Sequence, residues 1–140
     1  MRPCTSPCMR SRMVSEVHGR LIVVVEDDPA VLNSLEFTLG AEGYQVRGFA
    51  QAADALASTA PGHAEGLVID YGLPDMDGLS LLSALRARAV KAPAVLIAST
   101  PSLRCRRDAE AAGVPLIEKP LLAEILSRRL GELLTGPPGV

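Results

Sequence analysis

No part of this 140-residue chain approaches the roughly 18 consecutive apolar residues of a membrane-spanning helix, and residues 1–20 hold no apolar run long enough for a secretory signal. Cysteine is scarce. Cys4, Cys8 and Cys105 are an odd set, and the Cys-x-x-x-Cys pair has no histidine or further cysteine beside it. That pattern argues against a structural metal or a disulfide and for free thiols. The body also lacks the basic excess of a nucleic-acid binder: residues 1–20 carry four arginines against one glutamate, which leaves ten basic against fifteen acidic groups beyond them. Length is short as well, enough for one domain and little more. These absences predict a cytoplasmic protein of one domain that binds neither nucleic acid nor membrane and has to act through partner proteins.

What is present is an alternation of short apolar runs and amphipathic stretches. Leu21-Ile22-Val23-Val24-Val25 is a β-branched run suited to a central parallel strand covered on both faces. Asp28 followed by Pro29 predicts a helix N-cap with proline at the first helical position, and Leu32, Leu35 and Leu39 give its apolar stripe, ending at Gly40 or Gly43. Residues 44–49 read as a strand, and 51–58 as an alanine-rich helix stopped by Pro61-Gly62. Strands follow at 66–70 and 94–98, separated by a turn-rich loop at 73–78 and a helix carrying Leu79, Leu82 and Leu85. Thr100-Pro101 repeats the cap-then-proline signal for a helix with a thin apolar face of Leu103, Cys105, Ala109 and Ala112, the least firmly anchored of the set. Gly113 ends it, 115–117 is a brief strand, and Leu122, Ile125, Leu126, Leu130 and Leu133 mark a strongly amphipathic last helix. Alternating strands and helices with short links imply an α/β doubly wound parallel sheet with right-handed crossovers and helices on both faces. Residues 1–19 are expected to be a flexible head, 20–135 the domain and 136–140 a tail.

Ligands of such sheets bind beyond the carboxyl ends of the strands, and the charged groups of this chain gather there. Glu26 and Asp27 follow the first strand, Asp70 ends the third, Ser99 and Thr100 follow the fourth, and Lys119 follows the fifth. Successive acids at one strand end repel one another unless a cation compensates, so Glu26, Asp27 and Asp70 form a candidate metal site. Magnesium suits all-oxygen ligands that retain some waters, with the backbone carbonyl of Gly72 completing the set. Asp28 alone reads as a helix cap. Asp70 follows a buried apolar run, where an unpaired charge is costly, and a metal with Lys119 would compensate it. Its carboxylate could attack phosphorus in line to give a labile acyl phosphate. Pro120 allows a cis peptide bond after Lys119 that would aim the ammonium.

The segments Val23-Val24-Val25-Glu26-Asp27-Asp28-Pro29, Asp70-Tyr71-Gly72-Leu73-Pro74-Asp75-Met76-Asp77-Gly78 and Glu118-Lys119-Pro120 resemble the signature segments of the receiver domain of two-component response regulators, over about residues 19–134. The resemblance implies a flavodoxin-like (βα)5 fold with strand order 2-1-3-4-5. It also implies an acidic pair at Glu26 and Asp27, a phosphoacceptor at Asp70, a phosphate-neutralising Lys119, and a sensor histidine kinase or phosphotransfer protein as donor. On this reading the chain is a stand-alone receiver, a phosphoacceptor with at most weak autodephosphorylation rather than an enzyme. It signals to a downstream protein that the sequence does not name, and a homodimer is compatible with it.

Two departures from the family pattern stand out. Where receivers place a switch hydroxyl, five residues after Pro93, this chain has Ala98, leaving Ser99 as a substitute hydroxyl. Where they place an aromatic, three residues before the lysine, it has Leu116. The alternatives are therefore a degenerate receiver that acts as a docking module with little phosphate control, or a phosphorelay intermediate or phosphate sink. A phosphatase with an aspartyl nucleophile would want an acid two residues after Asp70, and position 72 is glycine.

Overall fold

A computed structural model describes residues 19–119 and 123–135. The strands are β1 (Leu21–Val25), β2 (Gln45–Phe49), β3 (Gly66–Asp70), β4 (Ala94–Ala98) and β5 (Leu116–Glu118), and they form one parallel sheet in the order β2-β1-β3-β4-β5. The helices are α1 (Pro29–Ala41), α2 (Ala52–Ala57), α3 (Ala60–His63), α4 (Gly78–Ala87), α5 (Leu103–Ala112) and α6 (Ala123–Thr135). The strand order 2-1-3-4-5 with helices on both faces is the expected flavodoxin-like doubly wound architecture. No helix among the described residues is long and apolar enough to cross a membrane.

The two-residue period of the strands divides the core in two. Val23, Val25, Leu67, Ile69 and Leu96 face one way and pack with Ala52 and Ala55 of α2 and Leu81, Leu82 and Leu85 of α4. Ile22, Val24, Val68, Val95 and Ile97 face the other and pack with Leu35 and Leu39 of α1 and Leu126 and Leu130 of α6. Burial on both faces is what makes β1, β3 and β4 continuous apolar runs. Fully burying such side chains contributes about 1.5–3 kcal/mol each, so the register of these strands is strongly specified.

Three local expectations are corrected. The helix predicted for 51–58 is shorter, and Pro61, expected to be a breaker, lies inside the separate turn α3. Gln51 offers no side-chain cap; the Asp75 carboxylate accepts the N–H groups of Ala52 and Ala53 at 3.1 and 2.9 Å instead. The cap of α5 is Ser102, not Thr100: its hydroxyl accepts from Cys105 N–H at 3.0 Å. Serine outranks threonine as an N-cap, and with Ser102 directly after Pro101 the stronger cap decides the start. The last strand sits one residue later than predicted, because Leu116 and Ile117 pair with Leu96 and Ile97 while Pro115 has no N–H for the ladder. The apolar face of α5 is thinner than expected: Cys105 and Ala109 are buried, whereas Leu103 and Ala112, also predicted for that face, are exposed. The head at 1–18, the tail at 136–140, Cys4, Cys8, Leu122 and the Lys119-Pro120 peptide bond lie outside the described residues.

Candidate functional site

The sheet ladder continues one step past three strand ends, and those steps position the site. Glu26 N–H donates to Phe49 O at 2.9 Å, Tyr71 N–H to Ile97 O at 2.8 Å and Lys119 N–H to Ala98 O at 2.8 Å. Glu26, Asp70 and Lys119 are therefore held by sheet geometry rather than by free loops.

Glu26 is fully buried and Asp70 nearly so, while Asp27 is exposed. Carboxylate oxygens of all three lie within 4.8 Å of one another. Lys119 Nζ is 2.8 Å from Glu26 Oε1 and 3.4 Å from Asp70 Oδ2. Glu26 Oε1 has no other polar partner among the described residues, and Oε2 accepts Asp28 N–H at 3.0 Å. Gly72 N–H reaches Asp70 Oδ1 at 3.2 Å. Burial pushes the Glu26 carboxyl above its ordinary pKa, and the Asp70 charge adds to this; the Lys119 ammonium and the Asp28 N–H pull it down without cancelling the rise. Partial burial works against the Lys119 ammonium, but its hydrogen bond to Glu26 and the charges of Asp70 and Glu26 outweigh it, so its pKa lies above the ordinary lysine value. The lysine thus stays charged throughout the neutral range.

The loop after β3 brings the rest into place. Asp77 caps α4, its Oδ1 accepting Ser80 N–H at 2.8 Å. Gly78 follows because nothing larger fits: a Cβ there would stand 2.6 Å from Asp70 O and 2.9 Å from Tyr71 Cα. Asp28 is the cap of α1, accepting Ala30 N–H at 2.9 Å, as its sequence position predicts.

Around these groups lies an open cleft of about 500 Å³ bordered by Glu26, Asp27, Asp70, Gly72, Ser99 and Lys119. Ala98 is buried at the end of β4 in its wall, and Ser99 and Thr100 are exposed beside it. Thr100 has φ 38°, a left-handed conformation unusual for a β-branched residue. Leu116 is half-buried and packs against the α4 side of the core. The wall also holds residues that the sequence did not mark for the site, among them Tyr71, next to Asp70, and Cys105, on the first turn of α5. Burial pushes the Cys105 thiol up, which makes it a packing group rather than a nucleophile. The Tyr71 phenol is likewise raised, by partial burial and then by the nearby Asp77, Cys105 and Asp108.

A doubly wound sheet with a lysine-bridged acid cluster at its strand ends defines an α/β protein whose chemistry lies at the carboxyl edge of the sheet. The chain belongs to the response regulator receiver domain family, whose model matches residues 22–130. It is 33% identical to the transcriptional regulatory protein KdpE of Mycobacterium tuberculosis over 109 residues, which cover 77% of this chain and 48% of that protein. To the two-component response regulator PhoP of Pseudomonas aeruginosa it is 32% identical over 119 residues, 84% of this chain and 53% of that protein. The chain thus spans about half the length of the curated relatives it matches. Among solved structures, a CheY-like receiver domain protein of Methanospirillum hungatei superposes with TM-score 0.76 at 30% identity, covering 84% of this chain and 94% of that one. The receiver domain of the hybrid histidine kinase CckA gives 0.67 at 30% identity, covering 81% and 98%. Receiver domains of two-component systems are phosphoacceptors rather than classical enzymes. Magnesium binding at an acidic pocket is typical of them, and they interact with histidine kinases or phosphotransfer proteins.

Proposed function

We propose that residues 20–135 form a receiver that takes a phosphoryl group on Asp70 from the phosphohistidine of a sensor histidine kinase or phosphotransfer protein. It then signals by protein contact, in the cytoplasm. The observation that carries this reading is the Lys119 ammonium lying between the buried Glu26 and Asp70 at 2.8 and 3.4 Å. In the transfer an Asp70 carboxylate oxygen attacks phosphorus, the P–N bond to the donor imidazole breaks, and the imidazole leaves with the bonding pair and takes up a proton. Lys119 is the cation on hand for the phosphoryl oxygens, and Gly72 N–H already orients the carboxylate.

An all-oxygen donor set within 4.8 Å fits magnesium. Asp27, Asp70 and the Gly72 carbonyl are the groups assigned to hold it, with Glu26 behind them because its two oxygens are already engaged by Lys119 and Asp28. When bound, the cation would offset the charge gathering on the transferred group. Ser99 is the hydroxyl assigned to the switch in place of Ala98.

The test is intact mass after incubation with Mg²⁺ and acetyl phosphate. One labile phosphoryl group is expected on the wild type and none on Asp70→Asn; equal labelling of the two would remove Asp70 from the role. The buried Ala98 at the end of β4 favours a second reading, a receiver whose phosphorylation changes its shape weakly and which serves as a docking module, relay intermediate or phosphate sink.

A further inference from the structure

The loop from β3 to α4 is closed at its base and fastened at its tip. At the base Gly78 N–H donates to Tyr71 O at 2.8 Å, and Gly72 pairs in an antiparallel bridge with Asp77, whose carboxylate caps α4. Between them Leu73 is buried, and Met76 packs half-buried against the core face that also holds Ala52 and Ala55. At the tip Asp75 reaches another element: Oδ1 accepts Ala52 N–H at 3.1 Å and Oδ2 accepts Ala53 N–H at 2.9 Å, at the start of α2. The far end of α2 is tied to the same part of the molecule, since Arg88, just past α4, donates to Leu56 O. The short helix is thus bracketed by the two segments that flank α4.

Gly72 is where this fastening bears on the acid cleft. Its carbonyl is one of the groups assigned above to magnesium, yet the residue is exposed and a Cβ there would touch nothing within 4 Å. With no side chain to pack, a glycine has more backbone freedom than any other residue. On the Asp70 side the chain is fixed by the sheet, through Tyr71 N–H on Ile97 O at 2.8 Å. On the other side the direction of the carbonyl depends on how firmly loop 72–77 is held. Gln51, the residue before α2, makes no side-chain cap of its own. One carboxylate therefore serves both elements: it takes up the first N–H groups of the helix and anchors the tip of the loop.

We propose that Asp75 is a positioning residue for the metal site: it ties the loop to α2 and so holds the Gly72 carbonyl where a cation can use it. This rests on the magnesium assignment above. Mutating a group that directly orients a metal ligand costs about 10–100-fold in affinity, and Asp75, acting one step further back, should matter less. Such coupling is reciprocal, so cation binding has to tighten the cap by the factor by which the cap tightens binding. A carboxylate that only capped a helix would leave the two independent.

Amide hydrogen exchange and magnesium titration of the full chain read the two directions. Saturating Mg²⁺ should slow exchange at Ala52 and Ala53 about threefold or more beyond any slowing at Ala60, whose N–H is capped at 3.0 Å by the Ser58 hydroxyl and reports general stabilisation. This measurement on the wild type needs no variant to fold. In calorimetric titration Asp75→Ala should bind Mg²⁺ about threefold or more weakly. Asp75→Asn, which also lacks the charge but keeps an acceptor oxygen, should stay within twofold of wild type. Exchange at Ala52 and Ala53 that ignores bound Mg²⁺, wild-type affinity in Asp75→Ala, or equal losses in the two variants would overturn the proposal. A wild type that binds no Mg²⁺ would instead remove the magnesium assignment, and this inference with it.

Discussion

Lys119 lies closer to Glu26, at 2.8 Å, than to Asp70, at 3.4 Å, so its nearer partner is the fully buried acid rather than the proposed phosphoacceptor. The lysine is in that sense part of the core before it is part of the chemistry. Removing one partner of a buried pair costs about 3 kcal/mol, because the other charge is left without compensation. Lys119→Met should therefore lower stability by about that much in urea unfolding, and adding Glu26→Gln should recover most of the loss. If the double variant is no more stable than the single one, the 2.8 Å contact is not what holds the lysine.

Asp27 and Asp28 are neighbours with different tasks. Asp28 accepts Ala30 N–H at the start of α1, whereas Asp27 is exposed beside the cleft. Asp28→Ala should cost about 1 kcal/mol of stability and leave magnesium affinity within twofold. Asp27→Ala should weaken magnesium at least tenfold without loss of stability. Metal titration and urea melts of both variants check the assignment, and equal losses of affinity would refute it.

The Asp75 carboxylate caps α2 from 22 and 23 residues away. The Ala53 N–H is the main cause of its lowered pKa, with burial opposing and the Ala52 N–H assisting. A depressed folded pKa means that the stabilisation is present above the unfolded value, about 3.9, and lost as pH falls through the folded one. The stability gap between wild type and Asp75→Asn should therefore be constant from pH 7 to about pH 5 and close as pH falls below 4. Urea midpoints across that range measure it; a gap that persists unchanged at pH 2.5 would rule out the carboxylate as the cap.

Restoring a hydroxyl at the end of β4 separates chemistry from switching. Ala98→Thr should leave the rate of labelling at Asp70 within a few-fold, since the proposed metal ligands, the proposed nucleophile and the lysine are untouched. One added charge-assisted hydrogen bond to the phosphoryl group is worth about 1.5–3 kcal/mol, enough to shift a two-state equilibrium roughly tenfold or more. Amide shifts across α5 and β5 on phosphorylation should grow accordingly. Shifts of unchanged size would show that the wild-type loop already makes an equivalent contact.

Much of this protein was legible in its residues alone. The apolar runs at 21–25, 66–70 and 94–98 matched the strands because burial on both faces leaves polar side chains no place in them. The strand order followed from the family resemblance, and the meeting of Glu26, Asp27, Asp70 and Lys119 from the rule that such sheets gather their chemistry at one edge. Asp28 was readable as a cap because its partner, Ala30, is two residues away. Contacts between residues distant in the chain were not readable. Capping of α2 by Asp75 and the lysine's preference for Glu26 over Asp70 each join segments 20 or more residues apart. Even the start of α5 turned on whether Thr100 or Ser102 met the first free N–H groups. Local hydrogen bonding and hydrophobic period are written residue by residue, whereas the direction of a side chain at a strand end is settled only when the neighbouring strands have packed beside it.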